Sequence, residues 1–444
     1  MKITFLMPAA SEGFNAYDLE NPSWINHGLG ILSAYAKKEG HETSLIDFRK
    51  LSGWKEYPER IKNENPDLLA MTAMTVDYPS VVKAAKITKK IFPKLKIIVG
   101  GPHATLVPKD FQDISEIDHI FIGESEYSFP KFLLDFKNKK KIPRMIYGKS
   151  PQNLDEVPFV DRELAGPYEG SMHEIFPKPF TTFINTRGCM YNCSFCQPAE
   201  RNLHGSKVRY RSVDNFLEEI EFLVKKHGIK SFLIHDDNFL QNQNLLKEFI
   251  EKYPKKFNLP FACQGRADLI VRNEETLKKL RKIGLKLIMI GFESGNQRIL
   301  NFLRKGVTVK QNFQAAEICK KYGILIWANY MFGIPTETKE EILDTVNMIR
   351  KIKPDLYSPA IFTPTPGTDL YTFCVDKDIL LIKNYEDYAR GSLKAKIKGL
   401  NYKFILRSLE KSLPLKMRIR RYLSKRTPLS VKIVLRKLLK IIKK

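Results

Sequence analysis

The chain alternates short apolar runs with helix-like stretches twice over, and this double alternation restricts it to two parallel sheets wrapped by helices. In the first series, strands are expected at 2–7, 41–47, 67–72, 96–99 and 119–122, with helices at 28–38 and 80–91. Polar and glycine-rich segments end these runs: Pro8-Ala9-Ala10, Thr72-Ala73-Met74-Thr75, Gly100-Gly101-Pro102-His103-Ala104-Thr105 and Gly123-Glu124. Ligands of such sheets sit beyond the C-terminal ends of the strands, which makes these segments candidate contacts.

A stretch rich in Lys, Pro, Gly and Asp at 141–177 lacks sustained periodicity and reads as a connector. The second series then places strands at 181–185, 231–235, 261–264, 287–291, 326–331 and 357–362. Helices are expected between them at 213–225, 245–252, 274–283, 309–321 and 339–351. Six strand–helix repeats suggest an incompletely closed barrel. The expected fold class is therefore α/β: a flavodoxin-like or Rossmann domain at 1–140, a partial (β/α)6 barrel at 178–390 and a basic helical tail at 391–444.

A length of 444 residues is ample for two cores. No run of about eighteen apolar residues appears, and Met1-Lys2-Ile3-Thr4-Phe5-Leu6 lacks the longer apolar region of a signal peptide, so a cytoplasmic protein is expected. Three of its six cysteines lie between 189 and 196. A reducing compartment favours metal ligation over disulfides for such a cluster.

Those cysteines belong to Arg187-Gly188-Cys189-Met190-Tyr191-Asn192-Cys193-Ser194-Phe195-Cys196, just after the first strand of the second series. Cys189, Cys193 and Cys196 on one loop can hold three irons of a four-iron four-sulfur cluster, leaving the fourth iron open. An open metal position is where a ligand can bind and react. Zinc is the alternative, but it wants a fourth ligand and none follows at finger-like spacing. Three unrelated buried cysteines are the purely structural alternative.

In this motif the chain resembles the radical S-adenosylmethionine (SAM) enzymes, whose signature is C-x-x-x-C-x-x-C after the first barrel strand. The resemblance extends to Asp236-Asp237-Asn238-Phe239, Gly291-Phe292-Glu293-Ser294-Gly295, Gly333-Ile334-Pro335 and Thr363-Pro364-Thr365-Pro366-Gly367-Thr368, covering roughly 178–375. It implies reductive cleavage of SAM to a 5′-deoxyadenosyl radical that takes a hydrogen atom from an unactivated carbon. An electron donor such as flavodoxin or ferredoxin is implied as well. By the same resemblance Phe195 lies against adenine, Glu293 and Ser294 contact the ribose or methionine part, and Gly333 and Pro335 let the backbone approach adenine. Gln264 and Arg266 are candidates for the methionine carboxylate, which an arginine suits through its two-pronged donor geometry, with a rim salt bridge as the alternative for Arg266. Asp236 and Asp237 line the substrate side or serve as loop caps.

The first series resembles the cobalamin-binding module that precedes the barrel in one branch of these enzymes. Gly28-Leu29-Gly30, Thr72 and Thr75, Gly100, Gly101 and His103, and Gly123-Glu124-Ser125-Glu126 carry that resemblance. Glycines there would let a large planar ring or its nucleotide tail press against the backbone. The D-x-H-x-x-G motif, whose histidine ligates cobalt elsewhere, is missing. His103 is the imidazole to consider, although its surroundings suit loop packing or tail contacts. The alternative is a vestigial fold without ligand.

The formal net charge of +25 is concentrated in the tail, where Gly391 to Lys444 holds 18 Lys or Arg against the single acid Glu410. Val431, Val434, Leu435, Leu438, Leu439 and Ile442 recur at helical spacing opposite Lys432, Arg436, Lys440 and Lys443. Such a cationic amphipathic helix suits an anionic membrane surface on the inner face of the membrane, or packing onto the barrel. Nucleic acid is disfavoured, because Tyr422 is the only aromatic residue after Phe404.

The resemblance thus implies methylation of a small, lipid-like or other biosynthetic intermediate, with cobalamin passing a methyl group to a substrate radical. Cyclisation or carbon–carbon bond formation in tetrapyrrole or lipid biosynthesis is the runner-up. A non-catalytic cobalamin and iron–sulfur binding protein is the reading from another class, but it leaves the open iron without purpose.

Overall fold

The computed structural model describes residues 1–8, 25–165, 172–196, 199–388 and 394–419. A six-stranded, wholly parallel sheet forms the first half from β1 (Lys2–Met7), β2 (Glu42–Asp47), β3 (Leu68–Thr72), β4 (Lys96–Gly100), β5 (His119–Ile122) and β6 (Met145–Tyr147). Their order is β2-β1-β3-β4-β5-β6. Chain direction across the sheet reverses between β1 and β3, the switch point at which doubly wound sheets bind ligands. Both faces are covered, so the strands read as continuous apolar runs rather than alternating ones. Ile97 and Val99 of β4 pack with Val81, Ala84 and Ala85, while Ile98 packs on the other side with Leu29 and Phe129.

β6 corrects the expected boundary at residue 140. The first sheet reaches into the connector, where Ile120, Phe121 and Ile122 take Met145, Ile146 and Tyr147 as parallel partners. Three residues are too few to show a period in sequence.

β7 (Phe180–Phe183) opens the second half, followed by a two-residue antiparallel ladder of β8 (Thr186–Arg187) and β9 (Arg209–Tyr210). Five longer strands follow: β10 (Ser231–Ile234), β11 (Phe261–Gly265), β12 (Leu285–Glu293), β13 (Leu325–Phe332) and β14 (Leu356–Ile361). The order β14-β13-β12-β11-β10-β7 is sequential and parallel, and β7 and β14 stay unpaired with each other, which is the expected open (β/α)6 barrel. Leu233, Ala262 and Leu287 fill its floor from inside, whereas Phe232, Ile234, Cys263 and Ile288 pack outward under the helices. One layer above the floor, Gln264, Met289 and Trp327 are register partners.

Two consecutive connector residues bind the two halves. Asp161 accepts from Ser33 Oγ at 2.6 Å and pairs with Lys37 at 2.8 Å in the first half. Arg162 donates to Thr181 Oγ1 (3.0 Å), Thr182 O (2.8 Å) and Glu219 Oε1 (3.0 Å) in the second. Gly30 permits this seam, since a Cβ there would lie 2.4 Å from Val160 Cγ1.

The tail begins by packing on the barrel. Helix Tyr402–Ser412 buries Ile405 and Leu409, and its Ser412 Oγ meets Tyr330 OH at 2.8 Å. The amphipathic stretch expected at 431–442 lies outside the described residues. Among the described residues no helix is long and apolar enough to cross a membrane.

Candidate functional site

The C-terminal strand ends of the two sheets meet across a cavity of about 340 Å3. From the first half it is lined by Gly28, Thr72, Gly100, Gly101, Gly123 and Glu124, and from the second by Arg187, Gly188, His235 and Asp237. Six of the eight expected cobalamin contacts thus share one wall. Gly101 holds φ at 96°, and a Cβ on it would lie 2.6 Å from Thr72 Oγ1, so only glycine lets β3 and β4 end this closely.

Thr75 and His103, the other two, do not line the cavity. His103 is fully buried, with Nδ1 3.3 Å from Thr75 Oγ1 and Nε2 3.0 Å from Asp110 Oδ2, and Tyr385 also donates to Asp110. The rings of Tyr78, Phe111 and Tyr385 surround it. This imidazole ties the segment after the barrel to the first half. Burial lowers its proton affinity, a shift that Asp110 opposes.

The cysteine loop follows β8 without slack. Its backbone is pinned by Ser194 N donating to Leu303 O and Leu370 N donating to Ser194 O, each at 3.0 Å. Arg201 donates to the carbonyls of Cys189 (3.2 Å) and Tyr191. All three cysteines are free thiols, and burial raises that of Cys189. Among the described residues no three His, Cys, Asp or Glu side chains converge on a single-ion position.

Arg266 is no rim residue. It is 6% exposed, lies 3.4 Å from the Tyr191 ring centre, bonds Asp268 at 3.0 Å and directs Nη1 to Cys193 Sγ at 3.6 Å. Its other amine reaches Lys305 O. Glu293, at the end of β12 with φ 60°, forms a buried ion pair with Lys305 at 2.9 Å. Lys305 Nζ also stands 5.9 Å from the centre of the Phe195 ring. Ser294 points away from these groups, with Oγ 3.2 Å from Thr345 Oγ1. Gly333 N and Ile334 N donate to Glu337 at 2.7 and 3.2 Å, fixing the turn before Pro335, and burial pushes Glu337 up to about 7. Gln264 is half-buried in the barrel's interior layer.

Of the two roles open to Asp236, the geometry shows the loop-capping one. It is fully buried and accepts from the backbone N–H of Asn185 (2.6 Å) and Thr186 (3.0 Å), binding β10 to the start of the cysteine loop, while Asp237 alone reaches the cavity. Burial raises Asp236 to about 7. Beside it, polar atoms of Asn185, Asn238 and Gln241 are buried with no hydrogen-bond partner among the described residues. Orphaned groups cost about 1–3 kcal/mol each, so their concentration beneath the cysteine loop fits a polar guest. A thiol trio with an arginine donor on one sulfur fits an iron–sulfur cluster, and the glycine-edged wall fits a large ring.

Lys305, Arg201, Glu337 and Arg162 escaped sequence reading. Only Glu337 carried a signal, standing four residues after Gly333.

Residues 183–349 match the family model of the Radical SAM superfamily and residues 21–133 that of the B12 binding domain. The chain is 29% identical over 402 residues to an uncharacterized methyltransferase of Pyrococcus horikoshii, covering 87% of this chain and 86% of that one. It is 27% identical over 380 residues to the anaerobic magnesium-protoporphyrin IX monomethyl ester cyclase of Rubrivivax gelatinosus, covering 80% and 66%. Its fold is similar to that of the radical SAM methyltransferase TsrM of Kitasatospora setae, solved with cobalamin and a [4Fe-4S] cluster (TM-score 0.64, 16% identity, 91% and 81% coverage).

Proposed function

Because this chain belongs to the radical SAM enzymes that carry an N-terminal B12-binding domain, we propose that it methylates an unactivated carbon of a small molecule held between its halves. Its cofactors are a [4Fe-4S] cluster, SAM and cobalamin. The observation that carries the reading is the shared cavity, whose walls come from the glycine edge of the first sheet and from Arg187-Gly188 beside the first cysteine. When bound, the three groups supply an electron, a hydrogen-abstracting radical and a methyl group.

The chain's own residues bind, orient and exclude water. Cys189, Cys193 and Cys196 would hold the cluster through three of its irons, leaving the fourth for SAM. Arg266, flat against Tyr191, presents an N–H to Cys193, and Glu293 with Lys305 forms a polar ledge next to Phe195. Gln264, Glu293, Arg266 and Phe195 are the SAM side of the site, and Asp237 and His235, which line the cavity, are the substrate side. The apolar floor under Met289 and Trp327 keeps the interior dry. An electron donor of the flavodoxin or ferredoxin class completes the system.

Ring formation is the competing reaction, favoured by the likeness to the cyclase. Reconstituted protein given reduced cobalamin and methyl-labelled SAM is expected to form both S-adenosylhomocysteine and 5′-deoxyadenosine. Formation of 5′-deoxyadenosine alone, with no label reaching cobalamin, overturns methylation.

The basic tail extends the reading to a lipid-soluble substrate at an anionic surface, each cation there contributing about 1 kcal/mol. Ser412 and Leu413 pack against the barrel, so the informative deletion starts beyond them, at residue 420. Removing 420–444 is expected to release the protein from anionic vesicles in co-sedimentation while leaving its iron content unchanged. Undiminished co-sedimentation excludes the membrane role.

A further inference from the structure

Two acids of the first half and two arginines of the second meet at the mouth of the cavity. Arg187 pairs with Glu124 Oε2 at 3.1 Å and with Glu126 Oε1 at 2.6 Å. Arg209, its partner across the β8–β9 ladder, also bonds Glu124 and donates to Pro151 O at 2.8 Å. The side chains are 16% (Arg187), 9% (Glu124), 7% (Glu126) and 3% (Arg209) exposed, so the four charges neutralise one another largely out of solvent. Both acids lie on the loop after β5 whose Gly123 and Glu124 line the cavity, and Arg187 lines it from the other side. Only Gly188, at φ 99°, separates Arg187 from the first cysteine.

We propose that Arg187 is a positioning residue that couples occupancy of the cobalamin cavity to the geometry of the cluster loop. The inference rests on the cofactor reading above. A ring seated against Gly123 and Glu124 fixes the carboxylates, the carboxylates fix the guanidinium, and the guanidinium fixes β8 and the loop that presents Cys189. The same chain of contacts runs in reverse, so a loaded cluster fixes the carboxylates that border the cobalamin site. Such reciprocity is a linkage between two binding equilibria.

The linkage is read as the ratio of hydroxocobalamin dissociation constants for the full-length protein with its cluster removed by chelator and with it reconstituted. For the unaltered chain, a ratio of about fivefold or more is expected, the low end of ordinary coupling between sites. The double variant Glu126→Gln with Arg187→Gln removes one charge of each sign. It is expected to bind one cobalamin and four irons, with the ratio falling to about one. Arg187→Lys, which keeps the charge but not the two-pronged geometry, is expected to lie between them. A variant with an undiminished ratio, or an unaltered chain with a ratio of one, overturns the latch while leaving the cofactor assignment standing. Unaltered protein that binds no cobalamin overturns both. If the double variant does not fold by circular dichroism, Arg187→Lys decides alone: a ratio equal to that of the unaltered chain refutes the coupling.

Discussion

Replacing Cys193 with Ala is expected to abolish SAM cleavage and to leave the anaerobically reconstituted chain short of four irons. The effect is large because three thiolates are the minimum that leaves one iron open, and two cannot hold the cube against chelation. Cys193 also receives the Arg266 donor at 3.6 Å, so its loss removes that contact between the arginine and the thiol trio. Cys319→Ala is the control, since that thiol is fully buried in the outer barrel core and its loss affects packing alone. Iron analysis and 5′-deoxyadenosine formation check the pair. An unchanged cleavage rate in Cys193→Ala sinks the cluster assignment.

Glu219→Ala is expected to destabilise the chain by about 3–5 kcal/mol, because it strands two buried guanidinium groups. Glu219 accepts from Arg162 at 3.0 Å and pairs with Arg211 through its other oxygen. The Arg211 and Arg162 charges hold its carboxyl below the usual range despite burial that pushes the other way. The sign follows from linkage: with the folded value depressed, this stabilisation is complete above the unfolded carboxylate value near 4.5 and is lost as pH falls through the lower folded value. Denaturant titrations of both proteins at pH 7 and at pH 3 check it. The gap between them should shrink at the lower pH, and an equal gap at both removes the electrostatic account.

The alternation of apolar runs made both sheets legible in sequence, because strands buried on two faces and helices buried on one impose different periods on the chain. Helix Val309–Lys321 has the expected limits, and β1 and β5 end where expected. Spacing along the chain also found Cys189, Cys193 and Cys196. The partners that fix the site were hidden, since Arg162 meets Glu219, and Arg209 meets Glu124, across 57 and 85 positions with no local pattern. His103 could be placed only by the fold, for a related reason. It follows two glycines at a strand end, where ligands sit, yet the helical turn Pro102–Leu106 carries it into the core. Asp236 likewise stands where substrate would be met, but two backbone N–H groups claim it.

Asp161 and Arg162 act as a rivet, adjacent residues gripping opposite halves of the molecule. A hinge that parted the halves at this seam would have to break either the Ser33–Lys37 grip or the Thr181–Glu219 grip, and the second is out of water. Opening the cavity by movements of its rim would leave both grips intact, whereas parting the halves would break one of them. On that route a bulky guest is expected to leave more slowly than a small one, which their measured off-rates would check.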